Sequence, residues 1–360
     1  MKYGTNFNHS LFIVFLSFVS FWANAEAPNA EDPAMKAAAS VVVKPAAPTS
    51  IQGKTSTNSL TATAQELFNK GEYDKVTAML WKDVDKIDRA GFILLARAHE
   101  KRNEPGDMAR AMNLLIGKDP KDFEAQTYLG VALLMQKKTK DAMEAFKHAI
   151  ELNSKFEPAY NGLIKMYETR NPPNLYELRI LYQDMIDNIG ARPLYLSKLC
   201  EINTQDGTFE IALANCRDAI LKDPSIASNH VNLAICQKAT GDEAGSAATL
   251  KKAALKFPTS EVAQYEYAKL LEDQKNFIDA VKYYKAATDA GPTSAKAWLG
   301  LASTSFEIRK FEVALIAYKN ACKFDRKNAS AFRKATTILR NNRNSEWSGK
   351  FETASENCTF

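Results

Sequence analysis

Residues 297–325, "AWLGLASTSFEIRKFEVALIAYKNACKFD", hold two helical patterns of apolar residues on either side of a short polar break, "EIRKF". A bulky aromatic, Trp298, precedes a small residue, Ala302, by four, and Ala314, Tyr318 and Ala321 follow. Nothing in this stretch is a chemical group of note, so its meaning depends on whether the stencil recurs. Stepping back 34 residues lands on Gln264, Ala268, Ala280, Tyr284 and Ala287. Another step gives His230, Ala234, Ser246, Leu250 and Ala253, and a third gives Leu196, Cys200, Ala212, Cys216 and Ala219. Pro224, Pro258 and Pro292 share the same spacing. A fixed period of this length specifies an array of helical hairpins that bury their apolar faces only against their neighbours. Small residues at Ala302 and Ala314 let the two helices of a hairpin approach closely, and Tyr318 fills the space beside them. The prolines fall where one hairpin must stop before the next begins.

At these positions the chain resembles the tetratricopeptide-repeat (TPR) family, through Trp298, Leu301, Ala302, Ala314, Tyr318 and Ala321 and their equivalents. Upstream, Leu129, Gly130, Ala142, Phe146 and Ala149 fit the same register. The resemblance implies an all-α fold: a right-handed α-solenoid of about eight helix-turn-helix TPR-like repeats plus a C-terminal capping helix. The repeats are placed at 57–88, 89–122, 123–156, 157–192, 193–226, 227–260, 261–294 and 295–328, with the capping helix in "NASAFRKATTILRNN". The first keeps Gly71, Tyr73 and Val76 but little of a first helix, and the second has Met108 and Pro105 at unusual places. The fourth is two residues longer than the period and turns through "TRNPPN", either a partner-specific protrusion or a tolerated insertion.

The organisation of the 360 residues follows. Residues 1–25 have Lys2 in a polar start, the apolar run "LFIVFLSFVSFWA" and then Ala23-Asn24-Ala25, the pattern of a cleaved export signal. That run is short for a membrane span. Residues 26–56 are rich in Ala, Pro, Ser and Thr and bury too little to offset their ordering entropy, so they are expected to be a disordered linker. As a flexible coil it would span roughly 30 Å. The solenoid with its capping helix is assigned to 57–343 and a disordered tail to 344–360. The protein is therefore expected to be exported, and to reside in the periplasm.

Catalysis has no obvious home in such a chain. HExxH, GxSxG and GxxxxGK[ST] patterns are all absent, and His9, His99, His148 and His230 have no His or Cys partner at metal-ligand spacing. No catalytic, cofactor-binding or metal-binding residue is assigned. Five cysteines leave an odd one. Cys200 and Cys216 occupy facing positions of one hairpin that turns near Gly207; they either join in a disulfide or stay reduced as small core hydrophobes, with Cys236 the competing partner.

What remains is binding. The family's concave groove is lined by the first helices, which here carry Ile93, Arg97, Val131, Leu134, Met135, Lys165, Tyr265, Lys269, Leu299 and Phe306. These either form a partner-binding groove or pack against neighbouring helices. The family's paired Lys and Asn for clamping a carboxylate are not reproduced: Ser197 and Glu201 stand in the unit before Asn232. Between 309 and 343, ten Lys or Arg face only Glu312 and Asp325, a local net charge of +8 in a chain of +5 overall. Arg326, Lys327, Arg333, Lys334, Arg340 and Arg343 make this a basic end for an anionic membrane or wall surface, or simply a solvated cap. The expected partner is a peptide or helix of an envelope protein and not nucleic acid. The expected function is a non-catalytic scaffold or assembly factor of the bacterial cell envelope. A surface binder acting through the basic end, and a regulatory subunit of a secretion, pilus or motility apparatus, are the alternatives.

Overall fold

A computed structural model describes residues 59–358; the expected signal (1–25) and linker (26–56) lie outside them. The described residues contain eighteen α-helices, one short 3-10 turn and no strand. They divide into two compact units, 59–152 with 161–173, and 153–160 with 174–358.

In the first unit α1 (Ser59–Asn69) pairs with α2 (Tyr73–Lys82), α3 (Arg89–Lys101) with α4 (Pro105–Lys118), and α5 (Phe123–Met135) with α6 (Thr139–Leu152). The unit boundary runs through α7 (Glu157–Glu168). The eleven-residue α1 is more complete than the sequence suggested. Pro105 sits at the first position of α4, where a missing N–H costs nothing. Phe146 of α6 lies against two glycines: a Cβ at Gly130 would fall 2.8 Å from its ring and one at Gly162 would fall 2.4 Å away. Arg89 clasps the next first helix, meeting Asp122 at 2.6 Å and Glu124 at 2.8 Å.

In the second unit α8 (Leu175–Ile189) is followed by the pairs α9 (Pro193–Gln205) with α10 (Phe209–Lys222), α11 (Ala227–Ala239) with α12 (Glu243–Lys256), α13 (Glu261–Asp273) with α14 (Phe277–Ala290), and α15 (Ala295–Glu307) with α16 (Phe311–Phe324). Ala302 and Ala314 are fully buried in the same core as Tyr318, as the stencil required. The hairpin turns repeat too. Gly207, Gly241, Lys275, Arg309 and Arg343, spaced by 34, all take positive φ, the left-handed residue that ends a helix. Asp242, Ser260, Asn276 and Ser294 then cap the helices that follow.

Trp298 has a specific task. Its indole N–H donates to the carbonyl of Pro292 at 2.8 Å. One period back, Gln264 donates to the carbonyl of Phe257 at 3.1 Å, and one further back His230 meets that of Pro224 at 3.2 Å. Three unlike side chains thus satisfy a connecting-turn carbonyl that the preceding helix leaves unpaired. In these three consecutive units the position carries a long side chain with a donor, whereas Leu196 and Phe332, one period to either side, fill it with apolar bulk.

The C-terminal end differs from expectation. Instead of one solvated cap and a disordered tail, α17 (Ala329–Asn341) and α18 (Ser345–Glu356) form a further hairpin in the same register. Phe332 and Phe351 are fully buried, the Phe332 ring stacking on Tyr318 at 5.0 Å and Phe351 meeting Phe306, Tyr318, Phe332 and Trp347 edge-on. Asn344 caps α18. A disulfide, Cys322–Cys358, ties the end of α18 to α16. A segment that reads as polar therefore folds because its two aromatics and its one cysteine have partners in the preceding hairpin.

Candidate functional site

In the first unit Ile93, Val131 and Met135 are half-buried and lean on the unit's core, and Leu134 is half-buried as well. Arg97 lies over the Phe68 ring at 4.8 Å, while Lys165 is exposed. In the second unit Tyr265, Leu299 and Phe306 are likewise half-buried against the core. Tyr265 packs edge-on against Tyr284 and carries Lys296 over its ring at 4.8 Å. Phe306 is drawn into the closing hairpin through Phe311 and Phe351. The ten residues read as one groove therefore fall into two groups, one per unit, each partly packed and partly open.

The second-unit group has a polar floor. Tyr284 donates to Glu272 at 2.5 Å, and Ser303 donates to the same carboxylate at 3.2 Å. Burial pushes the Tyr284 hydroxyl far above its ordinary value, and the Glu272 carboxylate adds to this. Burial raises Tyr265 to about 12, with Glu266, Glu272 and Glu261 reinforcing it. Burial also lifts the Glu266 carboxyl, against the pull of Lys269, Lys296 and Lys238. Lys238 meets Asp273 at 3.6 Å. Charges of both signs thus border aromatic faces.

A second feature escaped the sequence. Trp81 donates to His99 Nε2 at 2.7 Å, and His99 Nδ1 lies 2.8 Å from Glu104. Arg102 joins Glu104, Asp74 and Thr77 at 2.9, 2.7 and 2.5 Å, and Arg110 covers the Trp81 ring at 4.7 Å. The network borders an open cavity of about 630 Å³. His99, Glu104 and Asp107 bring potential ligand atoms within 4.8 Å of one another. They do not fit a metal ion. An indole can only donate, so Nε2 must accept and Nδ1 must carry the proton that goes to Glu104, which leaves no lone pair on the ring. A neighbouring cavity of about 460 Å³ opens between α4 and α5.

The basic end is tempered by the helix the sequence left out. The basic residues of α17 and its approach are exposed, but α18 returns Glu346, Glu352 and Glu356 beside them, and Arg340 pairs with Glu352. Arg326, Lys334 and Arg343 meet no carboxylate among the described residues. Cys200 and Cys216 are joined across their hairpin with Cα atoms 4.7 Å apart, as one reading of the sequence held. Cys236 is the free cysteine, buried, with its thiol 3.3 Å from Thr204.

Two family models, both described as tetratricopeptide repeat, match residues 93–155 and 261–304. Those two stretches are matched as TPR repeats. The helical hairpins within them are TPR units, and such repeats imply protein partners. Among solved structures this chain is similar to one in the APC/C hetero-tetramer Cut9–Hcn1, at 13% identity and a TM-score of 0.44, over 74% of this chain and 52% of that one. It therefore spans about half the length of that chain. It is also similar to Pseudomonas aeruginosa PilF, at 18% identity and a TM-score of 0.43, over 56% of this chain and 90% of that one. No curated protein sequence matches it.

Proposed function

We propose that this TPR protein is an exported, non-catalytic scaffold or assembly factor of the bacterial cell envelope, which holds a peptide or helix of an envelope protein against its first-helix faces. The observation that carries the reading is the half-open set on those faces, Ile93, Val131, Leu134 and Met135 in one unit and Tyr265, Lys269 and Leu299 in the other. Side chains already fixed by core packing lose little entropy when a partner covers them. Export is supported by the signal-like residues 1–25 and by two disulfides, which persist in oxidising compartments. The test is crosslinking in cells with a C-terminally tagged protein, followed by mass spectrometry. One or two envelope proteins should be recovered reproducibly and lost when Leu134 and Met135 become Asp. Recovery unchanged by those substitutions would refute the groove.

A second reading rests on Arg326, Lys334 and Arg343, the cations of the basic end without a carboxylate among the described residues. They would dock an anionic membrane or wall surface, an attraction that salt screens. Reversing Arg326, Lys334 and Arg343 to Glu should then release the protein from membranes or wall preparations; retention would exclude it.

A further inference from the structure

The cleft between α4 and α5 offers a different chemistry from the first-helix groove. Leu114, Leu129 and Leu133 line it, and Leu114 is 42% exposed although nothing in its own hairpin requires it to be. Arg110 and Lys138 stand at its edge, and no carboxylate lines it. Neither cation has an ion pair among the described residues; Arg110 is instead held over Trp81. Gln136 is fixed by donating to the Pro105 carbonyl at 2.9 Å, so the far wall is set before anything binds. About 460 Å³ is enough for two side chains of leucine size.

The cleft is not the groove seen from another angle. Along an α-helix Val131 lies about 200° round from Leu129, so Leu129 and Leu133 face away from Val131 and Met135. An apolar cavity rimmed by two unpaired cations selects its occupant by charge as well as by shape. An apolar side chain alone would leave both cations without an ion pair, and a basic segment would be repelled. We infer that this cleft is a second docking site in the first unit, for a partner segment that carries leucine-sized side chains flanked by carboxylates. One chain would then hold two partners, or two segments of one partner, on opposite sides of α5.

Two fluorescein-labelled dodecapeptides test this on the full chain. Both carry a Leu-Leu centre; one is flanked by glutamates and the other by lysines. Anisotropy should show the glutamate peptide binding and the lysine peptide not. Arg110→Glu with Lys138→Glu, both exposed positions, should weaken the glutamate peptide by at least about tenfold and admit the lysine peptide. Leu133→Asp should also abolish binding, with a melting curve to check that it folds. Met135→Asp, about 200° round the helix from Leu133, should leave the peptide bound while disturbing the proposed groove, which separates the two readings. Equal binding of both peptides, no binding at all, or indifference to the charge reversal would overturn the inference.

Discussion

Removing the Cys322–Cys358 bond, by changing both residues to Ala, is the most informative perturbation of the array. The bond closes a loop of 36 residues that contains the last residues of α16, the 3-10 turn at Arg326–Asn328, and all of α17 and α18. In the chain-entropy account, closing a loop of that size restricts the opened state by about 13 cal/mol/K, or about 4 kcal/mol at 25 °C. Phe332 and Phe351 are fully buried. Their burial contributes about 3–6 kcal/mol, so the hairpin should stay folded in the variant but open far more often. Repeat units contact only their neighbours, so the loss should be local. Hydrogen exchange read by mass spectrometry is the suitable assay. Amides of α17 and α18 should exchange about a hundred- to a thousandfold faster, while those of α11 to α14 keep their rates. Exchange in α17 and α18 within about threefold of the wild type would refute the reasoning, because the aromatic packing alone would then hold the end.

Enlarging Ala280 or Ala314 to Leu should overpack a fully buried hairpin contact and cost about 1–3 kcal/mol in urea denaturation; unchanged stability would mean that the helices do not meet there. Arg309 has φ of 59°, so Arg309→Gly should stabilise the hairpin by up to about 1 kcal/mol, and a loss would show that the arginine side chain matters more than its backbone. His230 is pushed below its ordinary value by burial, with the Pro224 carbonyl opposing and Lys256 and Lys252 adding to the shift. Below about pH 6.5 the unfolded chain therefore binds the proton first, and stability should fall as pH drops from there. His230→Gln, which copies Gln264 one period on, should keep the turn contact and remove that acid sensitivity; an unaltered pH profile would remove His230 as its source.

The period of 34 was legible because it rests on residues with steric duties: alanines where helices touch and prolines where a hairpin ends. The Cys200–Cys216 pair was half-legible, since the register placed the two opposite each other. The final hairpin was hidden by its composition, "SEWSGKFETASENCTF", in which only Trp347, Phe351 and the terminal Phe360 are large and apolar. Its signals were positional: Phe332 stands one period after Trp298, and Arg343-Asn344 one period after Arg309-Lys310. The Trp81–His99–Glu104–Arg102 network was out of reach because it joins α2, α3 and a turn, where the first repeat departs from the common spacing. No pattern of neighbouring residues announces it. The cleft beside Leu129 was hidden for a related reason, since Leu129 had already been assigned to the repeat stencil.

The turn contacts made by His230, Gln264 and Trp298 have a consequence for how such a chain can change length. Ser260 and Ser294 cap consecutive first helices in the same way, each accepting from the N–H three residues on. Cutting out residues 261–294 would join Ser260 directly to Ala295 with every helical phase kept. Trp298 would inherit the post of Gln264, reaching the turn at Pro258 as it now reaches Pro292. A cut of any other size would turn the small faces of one helix away from the next. Insertion and loss within the helices of this gene should therefore come in whole multiples of 34 codons, with smaller changes confined to turns such as "TRNPPN", so that the protein is divisible only at its own joints.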